Sequence, residues 1–446
     1  MLTNISTKGR QLKMSFSLKK GFTFGGWLPH LFPNMENIYP PLDTTISHSD
    51  EYWLFRTFLE SMKNASISNP NPSVGCLIVK NNNIISSGCT ESWGNRHAER
   101  VAFQNISAED LKNSSVYITL EPCTHQGRQP PCSELFKNKD IGKVVVGCID
   151  PNPVVSNQGI QSLINLGIGQ TNFFLSNEIK AWNYPFFIQQ QKNKLFIALK
   201  WAQSLDGCLA DDNDGWQWIS GEQSRTYAHW LRQKYDAIMV GIGTVLNDFP
   251  SLDIRNLNHI NQRNPLKMIY DPEGKIFSCN EEQQKKLLQK TLQKGSHKIF
   301  IVDKNIFEKF RNSKQISIWQ KNLLENNEIE FINYQGENKL NTAEYIIECL
   351  NENNSKILNF LGRPLQSIMI EGGHRLLSSF IQENHFDIMH IFTAPFFLGG
   401  EKHKLFSKVK RSYQDYSIKE VKNETRYHIA AQALLGEDNL LEIIKK

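Results

Sequence analysis

Short apolar strands alternate with helical segments in two separate stretches of this 446-residue chain. The pattern predicts the following strands in the first stretch: 74–79, 84–88, 116–120 and 143–146. It predicts these in the second: 195–199, 237–240, 268–270, 298–302, 367–370 and 389–392. The helices predicted around them are 50–66, 97–105, 133–137, 223–233 and 376–382. This alternation is typical of α/β layered domains, and the chain is too long for one ordinary core.

The stretch from about 170 to 192 is polar, aromatic and Gln-rich without a clear period, so we place a linker there. The resulting prediction is a leader over 1–48, a first domain over 49–172, a linker over 173–192 and a second domain over 193–446. Within the second domain, residues 305–360 are rich in Asn, Lys and Glu and are predicted to form surface helices and loops.

The positive charge of the chain lies at its N-terminus. The net charge is +5, but the first 35 residues contain five Lys or Arg and no acidic residue, so the remainder is formally neutral. A nucleic-acid-binding domain needs its positive charge on the folded surface, because phosphate contacts supply much of the affinity. We therefore expect a small-molecule substrate and no nucleic-acid partner.

Two interpretations of the basic leader stay open. It could be a transit peptide, or it could be a disordered leader or sequence upstream of a start at Met14 or Met35. No apolar run approaches the roughly 18 residues that a membrane span needs, so no membrane partner is expected. We predict a cytoplasmic protein, with the transit peptide as the alternative.

Two of the eight cysteines stand apart from the rest because a histidine and a glutamate accompany them in a recognisable order. A catalytic zinc ion takes three protein ligands and leaves one position open, and His97, Cys123 and Cys132 meet that number. Glu99 supplies the carboxylate that hydrolysis needs for proton transfer. Zinc lowers the pKa of water from about 15.7 to about 7, which is worth roughly 12 kcal/mol at neutral pH. The remaining six cysteines are expected to be buried, reduced thiols.

The local sequence predicts that both halves of this metal site begin helices. Pro122 precedes Cys123 at an expected helix start, where the helix dipole favours a thiolate. His97 and Glu99 would point about 200° apart on a regular helix, so both reach one site only at a helix end. The alternative is a closed structural zinc site with His125 as the fourth ligand, which leaves Glu99 without a role.

The first domain resembles the deaminase part of the bifunctional deaminase–reductase family of riboflavin biosynthesis. The resemblance rests on eight residues between Cys123 and Cys132, on the Asn-Pro-Asn-Pro-Ser-Val-Gly run at 69–75 and on the Asp-Pro-Asn-Pro run at 150–153. It implies a cytidine-deaminase-like α/β/α layered domain, which deaminates 2,5-diamino-6-ribosylamino-4(3H)-pyrimidinone 5′-phosphate. The residues implied to bind the base and its phosphate are Asn71, His125 and Arg128. Arg128 also suits phosphate because a guanidinium can bind it bidentately.

The second domain resembles the reductase part of the same family, which has a dihydrofolate-reductase-like α/β fold. The matching stretches are 200–207, 218–220, 240–248, 250–252, 255 and 371–373. The implied reaction is hydride transfer from NADPH to C1′ of the ribose, which gives a ribityl chain. The positions implied to bind NADPH are Gln203, Trp218, Ser220, Thr244, Asp248, Gly372 and Gly373. Those implied around the substrate are Lys200, Arg232, Leu252, Arg255 and Glu371.

Chemistry supports some of these roles independently of the resemblance. Gly372 and Gly373 lie between a predicted strand and a predicted helix, where bare backbone amides can bind a pyrophosphate. Such a turn alone is more often structural. Lys200 and Asp248 are expected to transfer the proton to the imine nitrogen that makes its carbon electrophilic. Arg232 and Arg255 have the positive charge needed to bind the phosphate. The enzyme is expected to be a homo-oligomer.

Two residues depart from the family pattern. Trp216 occupies a place where the family usually has a small hydroxyl residue, so a contact to substrate is in doubt there. Arg100 stands where an apolar residue is common, which is expected to alter only the helix surface. Two alternatives to the bifunctional enzyme stay open: a deaminase of nucleic acids or free nucleosides, with an unrelated partner domain, and a non-enzymatic module stabilised by zinc.

Overall fold

The computed structural model describes residues 48–153, 155–173, 175–210, 218–255, 263–334, 341–398 and 427–445. The predicted leader, apart from His48, and Trp216 lie outside these residues, so the expectations for them stay as stated. None of the helices in the described ranges combines the length and apolar character that a bilayer crossing requires.

The first domain contains a five-stranded sheet. Its strands are β1 (Gly75–Lys80), β2 (Asn83–Cys89), β3 (Ser115–Ile118), β4 (Lys143–Val146) and β5 (Gly169–Thr171). They are ordered β2-β1-β3-β4-β5, with β2, β1 and β3 antiparallel and β3, β4 and β5 parallel. The α-helices are Asp50–Ser61, Ala65–Ser68, Ala98–Ala102, Ala108–Leu111 and Gln158–Asn165, and 3-10 helices span Met62–Asn64 and Cys132–Phe136. All four strands predicted here are present.

Helices cover both faces of this sheet, because consecutive strand residues point to opposite faces. Leu77 and Val79 pack in one apolar cluster with Trp53, whereas Cys76 and Ile78 pack in another that includes both Ala98 and Ala102. The first helix begins at a sequence-encoded cap, since Ser49 Oγ accepts a hydrogen bond from Tyr52 N at 3.4 Å. The chain therefore builds an α/β/α layered arrangement.

Two helices occupy the segment that lacked a clear period, Ser176–Trp182 and Tyr184–Lys192. They are too short to show a strong repeat, yet Ile179, Trp182, Phe187 and Ile188 are all buried. Asn183 separates the two helices, and its side chain hydrogen-bonds to the backbone of Ser73. The predicted linker thus packs against the first domain as well as leading to the second.

The second domain is built on a nine-stranded sheet. Its strands are β6 (Phe196–Gln203), β7 (Ala237–Gly241), β8 (Leu266–Tyr270), β9 (Lys298–Ile301), β10 (Ile329–Ile332), β11 (Ser367–Glu371), β12 (Ile388–Thr393), β13 (Tyr427–Leu435) and β14 (Asp438–Lys445). The order is β10-β9-β8-β7-β11-β6-β12-β14-β13, parallel from β10 to β12 and antiparallel beyond. The α-helices are Glu222–Arg232, Ile242–Asp248, Glu281–Gln289, Lys304–Arg311, Ile318–Leu324, Thr342–Glu352, Asn354–Leu361 and His374–Gln382, with a 3-10 helix at Lys275–Ser278.

The six strands predicted for this domain are present, but three further strands were missed. The expectation of only helices and loops over 305–360 is wrong at β10, a four-residue strand whose Ile329, Phe331 and Ile332 are buried. Pairing with β9 decides its conformation, and a segment so short carries little periodic signal. In the parallel part of the sheet all carboxyl ends meet at one edge, where ligands bind in open α/β sheets.

The two domains share one continuous apolar core. The ring centroids of Trp182 and Trp230 lie 5.0 Å apart, and the ring centroids of Tyr184 and Phe196 lie 5.3 Å apart. Lys234 places its ammonium 5.2 Å from the ring centroid of Trp182. The linker helices therefore bind the second domain through aromatic contacts.

Candidate active sites

Three side chains from separate elements meet in the first domain. His97 caps the helix Ala98–Ala102, Cys123 follows β3 in an irregular segment, and Cys132 opens a 3-10 helix. His97 Nδ1 lies 3.6 Å from Cys123 Sγ and 3.4 Å from Cys132 Sγ. All three potential ligand atoms lie within 4.8 Å of one another.

This arrangement fits a tetrahedral zinc ion. With zinc–nitrogen and zinc–sulfur bonds of ordinary length, an imidazole nitrogen and a thiolate sulfur on two corners of a tetrahedron are about 3.6 Å apart. The observed separations agree with that spacing. Among the described residues the cluster consists of these three side chains, and His125, the fourth ligand in the closed-site alternative, is exposed and is not part of it.

Cys123 does not begin a helix, so that prediction is wrong. Residues 121–131 form no regular element. The amide of Cys132, at the first position of the 3-10 helix, donates to Cys123 Sγ at 3.3 Å instead. Hydrogen bonding from Cys132 lowers the pKa of the Cys123 thiol to about 4. The thiolate is favoured chiefly by the Cys132 side chain and to a smaller extent by the Cys132 amide, contacts that local sequence could not reveal.

Glu99 lies beside the three ligands without being one of them. Its side chain is only 4% exposed, and burial, followed by the charge of Cys123, raises its pKa to about 7. His97 is in extended conformation, with φ −74° and ψ 161°, just before the helix that carries Glu99. The site therefore sits at a helix end, as predicted, and one short motif supplies both a ligand and a carboxyl group.

Arg100 does more than alter a helix surface. Its Nη2 donates to the carbonyl oxygens of Pro130, at 2.9 Å, and Pro131, at 3.2 Å. These are the two residues before Cys132. The departure from the family pattern at Arg100 thus adds a connection between the Glu99 helix and the segment that presents Cys132.

The predicted substrate residues of this domain lie in irregular segments, Asn71 before β1 and both His125 and Arg128 between Cys123 and Cys132. Asn71 is half-buried in a turn closed by its own N–H on Ser68 O at 2.9 Å, while His125 and Arg128 are exposed. The guanidinium carbon of Arg128 lies 3.7 Å from the ring centroid of Trp93. Sequence reasoning missed Trp93, which belongs to no motif.

Asp150 is a second residue without a predicted role, although it belongs to a quoted family run. Burial raises the pKa of Asp150 to about 6; the charge of Cys123 acts in the same direction and that of His125 opposes it, so the carboxyl lies near both residues. Glu121 fixes this segment by accepting hydrogen bonds from the amides of Asp150, at 2.8 Å, and Asn157, at 2.9 Å.

In the second domain, three predicted residues meet at the carboxyl edge of the sheet. Lys200 on β6 is in register with Glu371 on β11, and Arg232 ends the helix Glu222–Arg232. Arg232 Nε and Nη2 donate to the two carboxylate oxygens of Glu371 at 2.7 and 2.9 Å. Burial alone would raise the pKa of Glu371, but Arg232 lowers it to about 2. Burial lowers the pKa of Lys200.

The glycine turn after β11 forms as predicted. Gly372 and Gly373 have φ of +63° and +71°, in the left-handed region that favours glycine, and Gly373 caps the helix His374–Gln382. A Cβ atom on Gly373 would lie 3.1 Å from Thr244 Oγ1. Thr244, on the helix after β7, therefore borders the turn, as a shared cofactor site requires.

The other predicted cofactor residues lie at loops and element ends. Gln203 ends β6, and its Oε1 accepts from Trp201 Nε1 at 2.7 Å. Trp218 is 57% exposed, and Arg225, which donates to the carbonyl oxygen of Ser220, lies over its ring at 5.1 Å. Asp248 is the exposed last residue of the helix Ile242–Asp248.

The two remaining predicted substrate residues follow that helix. Leu252 is buried and has φ +50°, a strained value for a non-glycine residue. The Arg255 side chain is about half exposed and pairs with Asp253 at 3.0 Å. Arg232 Nη1 also donates to the Asp253 carbonyl at 2.8 Å, so one short segment links both arginines.

Comparison with known proteins places both domains in families. Residues 48–148 match the cytidine and deoxycytidylate deaminase zinc-binding region, and residues 195–427 match the RibD C-terminal domain. The riboflavin biosynthesis protein RibD of Aquifex aeolicus is 33% identical over 337 residues, which cover 76% of this chain and 84% of that protein. The chain belongs to the RibD family.

Solved RibD structures share an architecture that spans both domains of this chain. RibD of Acinetobacter baumannii is 26% identical, with a TM-score of 0.65. A Thermotoga maritima structure, described as a diaminohydroxyphosphoribosylaminopyrimidine deaminase/5-amino-6-(5-phosphoribosylamino)uracil reductase, is 27% identical, with a TM-score of 0.67. Each alignment covers 89% of this chain and 99% of the other.

Membership in the RibD family confirms the predicted fold class and the predicted kind of activity. The chain is a bifunctional enzyme of riboflavin biosynthesis, with a cytidine-deaminase-like domain followed by a RibD reductase domain. Its cofactors are zinc in the deaminase domain and NADPH in the reductase domain, as predicted. A small phosphorylated pyrimidine is consistent with this family as the substrate.

Proposed function

We propose that the deaminase domain hydrolytically removes the ring 2-amino group of 2,5-diamino-6-ribosylamino-4(3H)-pyrimidinone 5′-phosphate. The observation that carries this proposal is a buried carboxyl group, that of Glu99, beside the three converging ligand atoms of His97, Cys123 and Cys132. The name of the Thermotoga maritima neighbour supports the choice of substrate.

In this proposal Glu99 carries out the proton transfers of the deamination. Zinc held by His97, Cys123 and Cys132 supplies the Lewis acidity that makes water a nucleophile near neutral pH. Glu99 takes the proton of the attacking water and delivers it to the departing nitrogen. The burial of Glu99 keeps its carboxyl out of bulk solvent, so the proton stays within the site.

The loops beside the zinc ligands hold the substrate. Asn71 and His125 contact the base, and Arg128 binds the phosphate. Stacking over Trp93 restricts the Arg128 guanidinium and leaves its in-plane N–H groups available for a bidentate contact. Asp150 adds a carboxyl that can hydrogen-bond to the pyrimidine.

The reductase domain converts the ribosyl group of the deaminated product to ribityl, giving 5-amino-6-ribitylaminouracil 5′-phosphate. NADPH supplies the hydride for this step. Lys200 and Asp248 manage the proton on the substrate nitrogen, and the lowered pKa of Lys200 makes it a better proton donor. Gln203, Trp218, Ser220, Thr244, Gly372 and Gly373 hold the cofactor.

Arg255 binds the substrate phosphate in this domain, with Leu252 against the substrate. Arg232 has a different task, because three of its nitrogens already donate to Glu371 and to the Asp253 carbonyl. It orients Glu371 toward the substrate and adds positive charge near the phosphate. The contacts of Arg232 support this division of roles.

We place the deaminase domain at 49–172, the connecting helices at 173–192 and the reductase domain at 193–446. The enzyme acts in the cytoplasm as a homo-oligomer, without a nucleic-acid or membrane partner. Strand β13 supports an assembly, since it is an edge strand on which Ile429 and Leu434 are 56% and 66% exposed. Light scattering of the purified protein tests this, and a monomer at micromolar concentration would contradict it.

The proposed chemistry is tested by incubating the purified protein with the diaminopyrimidinone phosphate, with and without NADPH, and identifying the products by mass. Without NADPH, the product should differ from the substrate by replacement of one amino group with oxygen. With NADPH, it should gain two further hydrogens. Reduction that precedes deamination, or loss of an amino group from free cytidine instead, would overturn the proposal.

A further inference from the structure

We propose that Arg263, a residue of the reductase domain, is a positioning residue for the deaminase. It fixes the turn that presents Asn71 to the pyrimidine, so the substrate affinity of one domain depends on the other. This inference rests on the proposed role of Asn71 in binding the base.

Arg263 makes three hydrogen bonds across the domain boundary. Its backbone N–H donates to Ser66 Oγ at 3.1 Å. Its guanidinium donates to the carbonyl oxygen of Ile67 at 3.5 Å through Nη1 and to that of Asn69 at 3.3 Å through Nη2. All three acceptors belong to the five residues that precede Asn71.

The carbonyl groups of Ile67 and Asn69 need an external donor because they lie at the end of a helix. The helix Ala65–Ser68 has only four residues, and its terminal carbonyl groups cannot be paired within it. A cation at a helix C-terminus is also favoured by the helix dipole. Arg263 supplies both the donors and the charge.

A second contact from the reductase domain reaches the same turn. Asn69 Nδ2 donates to the carbonyl oxygen of Lys234 at 3.4 Å. Lys234 in turn lies over the rings of Trp182 and Trp230, which join the two domains. The turn is thus connected to the aromatic contact between the domains.

On its other side, the turn is held by the connecting helices. Asn183 Oδ1 accepts from the amide of Ser73 at 2.7 Å, and Asn183 Nδ2 donates to the Ser73 carbonyl at 3.3 Å. Asn71 is therefore flanked by two segments whose positions are set from outside the deaminase sheet. The cleft between the domains is lined by residues of this turn, including Asn71, and by Lys234 and Asp236 opposite.

The environment of Arg263 also fixes its guanidinium. Arg363 and Asp236 form a buried ion pair beside it. Burial and the charge of Arg363 lower the pKa of Arg263 to about 10, so it stays protonated at neutral pH. A methionine at 263 keeps most of the side-chain length but leaves the Ile67 and Asn69 carbonyls without their donor.

The test measures each activity separately in Arg263→Met and Arg263→Lys. Deamination is followed without NADPH, and reduction is followed with the deaminated intermediate as substrate. For Arg263→Met we expect the KM of deamination to rise about tenfold while kcat, zinc content and the reductase constants stay within about twofold. Arg263→Lys should recover part of the affinity, because an ammonium can serve one carbonyl.

Arg311→Met is the matched control, since Arg311 is exposed at the end of the helix Lys304–Arg311 in the same domain. It should leave both activities unchanged. Equal losses of both activities in Arg263→Met, together with a lower melting temperature, would mean a purely structural role and would overturn the inference. An unchanged KM of deamination in both Arg263 variants would overturn it as well.

Asn71→Ala separates failure of this inference from failure of the proposed function. If Asn71→Ala leaves the KM of deamination unchanged, the proposed base contact is wrong and the inference falls with it. If Asn71→Ala raises the KM but Arg263→Met does not, only the inference falls. In the double variant, Arg263→Met should add little to Asn71→Ala, and multiplied effects would show that Arg263 acts by another route.

Discussion

Arg232 and Glu371 are each other's hydrogen-bonding partners, joined by two parallel bonds of 2.7 and 2.9 Å in a site where both side chains are nearly buried. The pair connects the end of the helix Glu222–Arg232 to the carboxyl end of β11. From the sequence, both residues were expected around the substrate separately. Their pairing means that a change at either one alters the charge and the stability of the other.

Arg232→Met should lower the free energy of unfolding of the reductase domain by about 3–5 kcal/mol, because it leaves a buried carboxylate without its partner. Arg232→Met combined with Glu371→Leu should recover part of that loss, since the unpaired carboxylate is removed while the buried Lys200 ammonium loses the attraction of Glu371. Urea unfolding followed by tryptophan fluorescence measures both. A double variant as unstable as the single one would contradict this explanation.

The stability of the same domain should depend on pH through Glu371. Its pKa is about 2 in the folded protein and about 4.3 in an unfolded chain, so the folded state favours the ionised form. The stabilisation is fully present above about pH 4.3 and is lost as the pH falls toward 2, a change of about 3 kcal/mol. Urea unfolding across this range should show a smaller loss in Glu371→Gln than in the natural protein. Identical pH profiles would argue against the assignment.

Glu99→Gln should reduce deamination by at least about 10²-fold, because the amide cannot carry the proton. Zinc content, measured by elemental analysis, should stay at one per chain. NADPH oxidation with the deaminated intermediate should also be unchanged, which provides the internal control. Ammonia release at the normal rate would rule out the proton-transfer role.

Arg100→Val should release zinc more readily, by about tenfold in the rate of loss to a chelator, because the segment before Cys132 loses its two hydrogen bonds to Arg100. Lys80→Met is a suitable control, since Lys80 ends β1 and its Nζ donates to the carbonyl oxygen of Glu109. If both variants lose zinc at the same rate, Arg100 has no specific effect on the metal site.

Gly373→Ala should raise the KM for NADPH and leave deamination intact. The alanine would have to adopt φ +71° and would bring its Cβ within 3.1 Å of Thr244 Oγ1. Gly362→Ala is the matched control, because Gly362 has nearly the same φ, +69°, but no neighbouring atom lies within 4 Å of the added Cβ. Reductase kinetics that respond equally to both substitutions would point to a general loss of stability.

Much of the fold was predictable because the information was local. Predicted apolar strands of three to six residues bounded by turn residues matched ten of the strands, and the Gly372–Gly373 turn followed from its place between a strand and a helix. The strands that were missed include β10, a four-residue strand that is fixed by pairing with its neighbour β9. The helices at Ser176–Trp182 and Tyr184–Lys192 were missed because each is shorter than the repeat needs to be recognised.

The chemistry of this protein could be predicted from short motifs, because a His-x-Glu followed by two cysteines is an order of residue types with few other uses. Tertiary structure decided what those groups touch. It gave Cys123 its hydrogen bond from the Cys132 amide, paired Arg232 with Glu371, and brought Arg263 to the turn before Asn71. Such contacts join residues up to about two hundred positions apart, and local propensity carries no information about which distant donors and acceptors a folded chain will bring within 3.5 Å.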